Sequence, residues 1–139
     1  MIEFDNRTSF EVDISLLEKI SAIYTQKDIE LILSTDDEIR EINKQHRDID
    51  ASTDVLSFPY EDMPMSPMGS IVISLQHVQK EAKSLNHSDK DELTLLFIHG
   101  LLHLLGFDHE VDNGEMRQEE LQIIQKFELP KSLIIRTQG

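Results

Sequence analysis

Apolar residues fall along the chain in short groups of two spacings, and these groups predict the order of its elements. Ile2 and Phe4 alternate with polar neighbours and predict a short opening strand. Asp13 stands where it can cap a first helix, whose positions Leu16, Leu17, Ile20 and Ile23 follow helical spacing. Ile29, Leu31 and Leu33 alternate again and predict a second strand. Thr35 with Glu38 has the form of a capping box, opening a helix to about Gln45 with Ile39 and Ile42 inward. Val55 to Phe58 predict a third strand, ended by Pro59, and the Pro- and Met-rich stretch 59–69 a loop. Ile71 to Ile73 predict a fourth strand, followed by a helix from about Ser74 to Leu85.

Ser88 then opens a central helix, with Asp89, Asp91 and Glu92 favourably placed in its first turn. Its apolar residues from Leu93 to Leu105 cover most of the circumference, so the helix is expected to be buried on nearly all sides. Gly106 is expected to end it with a left-handed residue. A last helix spans roughly 113–128, with Met116, Ile123, Ile124 and Phe127 inward, before Pro130. Short strands mixed with helices predict an α/β (α+β-like) fold, one domain over residues 1–139 with a four-stranded sheet and about five helices.

Composition narrows the chemistry. The 139 residues contain no cysteine, so any metal must be held by histidine and carboxylate. The acidic opening segment predicts no signal peptide, and the apolar run 93–105 is too short to span a bilayer, so a cytoplasmic protein without a membrane partner is expected. A formal charge of −14 argues against a protein that grips nucleic acid over its whole surface. The acid is spread evenly, with 14 acidic against 6 basic residues in 1–60 and 13 against 7 in 61–139. DNA is not an expected partner, and any RNA site must be a local basic one.

The segment HGLLHLLGFDH, residues 99–109, carries the chemistry. His99 and His103 are four apart, so on a helix both rings project from one face and can reach one ion at about 2.0–2.1 Å. Gly106 lets the chain turn back, and His109 can then supply a third ligand. Three neutral imidazoles leave a zinc ion its charge and an open fourth position, where water is acidified to a pKa near 7. The spacing matches the metzincin proteases except at one position. Their general-base Glu follows the first His, and here that residue is Gly100, which counts against peptide hydrolysis.

This motif, with TDVLSFP at 53–59, GSIVIS at 69–74 and Asn43 four residues before Arg47, resembles the YbeY family of bacterial zinc-dependent endoribonucleases that act in ribosomal RNA maturation. The resemblance covers roughly residues 40–125. It implies an α/β fold around a four-stranded mixed sheet with the metal site at the end of a cleft. It also implies His99, His103 and His109 as the ligands of one zinc ion, and Arg47 as the functionally important arginine. Single-stranded RNA, ribosomal RNA in particular, and the small ribosomal subunit are the partners it suggests. Ser70 replaces the family's usual Asp, His46 replaces an aromatic residue before the arginine, and Phe107 replaces the commoner Tyr.

A guanidinium can neutralise charge developing on a phosphoryl group, which gives Arg47 its candidate catalytic role; read from the residues alone, it equally suits a helix C-terminus. Arg40, Lys44 and Arg47 form one cationic stripe, either tracking an RNA backbone or forming a solvated face in which Asp36 pairs with Arg40. Thr53, Asp54 and Ser57 either edge the cleft or shape the turn into the third strand. Asp108 either accepts from a ligand histidine or forms a turn. The 59–69 loop is either a lid or a long connection. His46, His77 and His87 are expected at the surface, without a role. The leading function is a metal-dependent endoribonuclease. The alternatives are an RNA- or ribosomal-protein-binding assembly factor with a mainly structural zinc, and a zinc-dependent peptide or amide hydrolase.

Overall fold

The alternating segments pair into one sheet in the computed structural model, which describes residues 1–130. Residues 131–139 of the expected domain lie outside the described residues. Strands β1 (Ile2–Asn6), β2 (Ile29–Ser34), β3 (Val55–Pro59) and β4 (Gly69–Ser74) lie in the order β1-β2-β4-β3. β1, β2 and β4 are parallel, and β3 runs antiparallel to β4 at the opposite edge from β1, so the sheet is mixed. The central strand β4 is buried along its whole length, as expected of a strand covered on both faces.

Among the described residues five helices cover the sheet: α1 (Ser15–Tyr24), α2 (Asp36–Arg47), α3 (Leu75–Leu85), α4 (Asp89–Leu104) and α5 (Glu115–Lys126). One face carries the larger core. There Leu31, Leu33, Ile71 and Ile73 meet Leu17 and Ile20 of α1, Val78 of α3, Phe97, Ile98 and Leu101 of α4, and Met116 and Ile123 of α5. The other face carries a small cluster, in which Ile39 of α2 packs with Leu56 and Val72, bordered by Ile32, Ile42 and Phe58. Strand alternation makes this division, since β3 sends Leu56 and Phe58 to the α2 side and Ser57 towards α4.

The expected α4 is the best buried helix, with every residue from Glu92 to Ile98 buried. Ser88 caps it by accepting from the Asp91 amide at 3.0 Å. Other ends differ from expectation. Ile14, and not Asp13, precedes the first turn of α1; Asp13 accepts instead from the Ser15 amide and hydroxyl. Ile23, which fits the helical spacing, is 45% exposed because it falls on the outer side of α1. Only half of the capping box forms at α2. Thr35 accepts from the Glu38 amide, while the Glu38 carboxylate turns to Ser34 and Arg7. α2 also runs two residues past Gln45, to Arg47, before Asp48 ends it with φ 57°.

Candidate metal centre and cleft

The end of α4 sets the geometry of the centre. Gly106 adopts φ 101°, its amide donates to His103 O and the Phe107 amide donates to Leu102 O, each at 3.0 Å. That pair of bonds is a Schellman motif, and its left-handed position favours glycine. No neighbouring atom lies near the position of a Gly106 Cβ, so glycine is needed here for its backbone alone. The turn sends residues 107–109 back across the end of α4. His99, His103 and His109 are thereby brought together, each offering a ring nitrogen within 4.8 Å of the other two.

Both helical histidines are oriented by their outer nitrogens. His99 Nδ1 lies 2.9 Å from Glu120 Oε1, and His103 Nδ1 lies 3.0 Å from the Phe107 carbonyl. A carboxylate and a carbonyl can only accept, so each Nδ1 carries the proton and each Nε2 presents its lone pair. The two Nε2 atoms are 3.1 Å apart. Tetrahedral ligands at 2.0–2.1 Å from zinc stand about 3.3 Å apart, so this pair already has the spacing of metal ligands. Burial, reinforced by the neighbouring His99, pushes the His103 pKa down and favours the neutral imidazole that a metal requires. The donor set therefore fits a zinc ion.

Glu120 was not foreseen. It is a buried carboxylate on the inner face of α5, between Met116 and Ile123. An acid interrupting an apolar stripe was the available signal, because a buried carboxylate needs a partner. Asp108, the sequence candidate for accepting from a ligand histidine, forms the turn instead: its carboxylate takes the Glu110 amide and its carbonyl the Asp112 amide.

The three histidines line a cleft of about 730 Å³, together with His46, Arg47, Thr53, Asp54, Phe58 and Asp108 among others. Arg47 thus faces the same space as the histidines, from the last turn of α2. Arg40, from the same stripe, bonds Asp50 at 2.7 Å and not Asp36, whose carboxylate holds Ser74 and His77. Arg47 forms no ion pair among the described residues. Asp54 shapes the turn into β3 by accepting from the Val55 amide. Ser57 lines the cleft and also donates to the Gly100 carbonyl at 3.3 Å.

One other expectation changes. The side chain of His87 is turned inward, 3% exposed, with Nε2 2.9 Å from the fully buried Glu92. His46 is exposed, as expected, and its ring also lines the cleft. Ser70 does not; it lies on β4 between Glu30 and Phe58. From the 59–69 loop only Pro59 reaches the cleft lining. Tyr60 pairs with Met68, and Met68 with Asp28, so the loop is tied to the sheet as a connection.

Residues 3–128 match the sequence family described as Endoribonuclease YbeY. The chain belongs to the YbeY family. It is 60% identical to the endoribonuclease YbeY of Sulfurimonas denitrificans, with both chains covered completely, and 54% identical to that of Helicobacter pylori, with 99% of each covered. The solution structure of TM1509 from Thermotoga maritima superposes with a TM-score of 0.66 at 30% identity, covering 96% of this chain and 89% of that one. YbeY membership makes the chain an endoribonuclease, an enzyme that breaks phosphodiester bonds within RNA. Among the described residues no helix is long and apolar enough to cross a membrane.

Proposed function

We propose that this endoribonuclease is a zinc enzyme specific for single strands, acting in the cytoplasm on ribosomal RNA during maturation of the small ribosomal subunit. The chain works as one domain, with His99, His103 and His109 as metal ligands and Arg47 as the catalytic cation. The observation that carries this reading is the meeting in one cleft of three imidazoles and a guanidinium that has no ion pair among the described residues.

Each residue has a task that its position supports. The Nε2 atoms of His99 and His103, with His109, would hold the ion, while Glu120 and the Phe107 carbonyl fix the two helical rings. A zinc ion bound there would supply Lewis acidity towards a phosphoryl oxygen or a water molecule. Arg47 offers a planar pair of donors to the phosphate and balances the charge that builds there. An unpaired strand, whose bases splay apart, is the form in which RNA is usually read. The acidic body disfavours duplex DNA, whose dense charge calls for many Lys and Arg contacts.

Peptide hydrolysis is disfavoured by more than a missing carboxylate. A Cβ on Gly100 would lie 2.8 Å from Ile71 Cγ2 and 3.2 Å from Ser57 Oγ, so this position faces the sheet and has no room for a glutamate. The test compares cleavage of single-stranded RNA by native protein, chelated protein and His103→Ala, with metal content measured by mass spectrometry. Loss of bound zinc and of roughly a hundredfold or more in rate is expected for the second and third. Equal cleavage by all three would refute the metal mechanism.

A further inference from the structure

Apart from the metal ion proposed above, the cleft offers little positive charge with which to hold a polyanion. Its lining contains one guanidinium, from Arg47, and three carboxylates, from Asp54, Asp108 and Glu110. Phosphate contacts alone would give a weak grip on RNA, because that grip grows with the number of phosphates neutralised. Beside Arg47 stands a different resource. The exposed ring of His46 leans on the ring of Phe58, with centroids 5.4 Å apart and planes inclined by 55°. Both rings line the cleft.

The pair is firmly supported. His46 sits in the last turn of α2, and Phe58 is half-buried on β3 against the cluster of Ile39, Leu56 and Val72. An aromatic platform anchored in a core and open on its cleft side is suited to receiving a nucleobase. Every base has a π-face, so stacking needs no particular sequence. We propose that His46, backed by Phe58, forms a stacking subsite for the unpaired nucleobase next to the phosphate that Arg47 contacts. The subsite rests on the nuclease reading given above and deepens it. Duplex RNA keeps its bases paired and stacked on each other, so the platform selects single strands. His46 is then a positioning residue whose flat ring matters and whose proton does not.

The test uses zinc-loaded native protein, His46→Ala, His46→Phe and His46→Tyr. His46 is exposed at a helix end, so none of these changes threatens the fold. Steady-state cleavage of a short single-stranded RNA should show KM about five- to tenfold higher for His46→Ala, with kcat within about twofold. Phe and Tyr should restore KM. A second readout does not depend on turnover: 2-aminopurine in the RNA, followed by stopped flow, should be quenched on binding to native, Phe and Tyr proteins and not to the Ala variant. Quenching and KM unchanged in His46→Ala would overturn the subsite. So would Phe and Tyr variants as impaired as Ala, since that pattern belongs to a proton donor. Native protein that fails to cleave RNA at all would remove the nuclease reading itself; a cleaving native protein with an unaffected His46→Ala removes only the subsite.

Discussion

Gly100→Ala sets two known effects against each other at the centre of the molecule. Position 100 lies within α4, and its φ is not in the left-handed region. Alanine is the better helix former by about 1 kcal/mol, so propensity alone makes this a stabilising change. Packing opposes it. The added methyl would meet Ile71 Cγ2 at 2.8 Å and Cδ1 at 3.3 Å, and Ser57 Oγ at 3.2 Å. Ile71 is completely buried on the central strand, and its branched side chain has few rotamers to retreat into. Forcing an extra carbon into such a core costs about 1–3 kcal/mol. The net expectation is a loss of about 1 kcal/mol, read as a melting temperature lower by about 3–5 °C and a matching fall in the urea midpoint. Ile71→Ala, which removes the clashing methyl at a cost of about 2–5 kcal/mol by itself, provides the control. In that background Gly100→Ala should become neutral or stabilising. A single Gly100→Ala variant that melts above native protein would refute the packing argument.

Three further outcomes are expected. Glu120→Gln keeps an acceptor for His99 Nδ1 but loses the charge, and should lower zinc affinity about tenfold, with Glu120→Ala approaching a hundredfold; competition with a chromophoric chelator measures both, and unchanged affinity would remove Glu120 from the centre. Arg47→Ala should lower kcat by roughly 10²–10³ while zinc content stays full, and Arg47→Lys should recover only part, since an ammonium lacks the paired planar donors. Burial, with the 2.8 Å hydrogen bond to Glu119, pushes the Tyr24 pKa from 10.0 up to about 12. The folded state therefore holds this proton more tightly than the unfolded chain. Its contribution is whole below pH 10 and is lost as pH rises from 10 towards 12. Tyr24→Phe should flatten that part of the alkaline loss in urea midpoints; identical pH curves would count against it.

The parts of the site that sequence reveals are those within one stretch of chain. His99, His103, Gly106 and His109 span eleven residues, and helical geometry with one left-handed turn suffices to bring them together. The strands and α4 were legible for a similar reason, since alternation and a continuous apolar run are local signals. Contacts between distant segments were not. Glu120 lies 21 residues from His99, and only the packing of α5 on α4 joins them. His46 meets Phe58 because α2 crosses the sheet face to which β3 sends its even-numbered residues. His87 looked like a surface residue after a helix, until the turn at Asn86 (φ 56°) brought its side chain inward beside Glu92. Ile23 matched its helix period and still faced outward, because the covered arc of α1 is narrower than its apolar arc.

The two faces of the sheet carry unequal cores, and the site is divided between them. His99 and His103 belong to α4, whose apolar residues anchor the large cluster, whereas Arg47 and His46 end a helix held mainly through Ile39 in the small one. Regions with less buried apolar contact open at lower free energy than the global transition. Amide hydrogen exchange should accordingly run faster along α2 than along the middle of α4. On warming, the arm proposed to grip substrate should loosen while the helix that supplies two of the imidazoles still holds, so on that reading the enzyme is expected to lose its hold on RNA before it would release a metal.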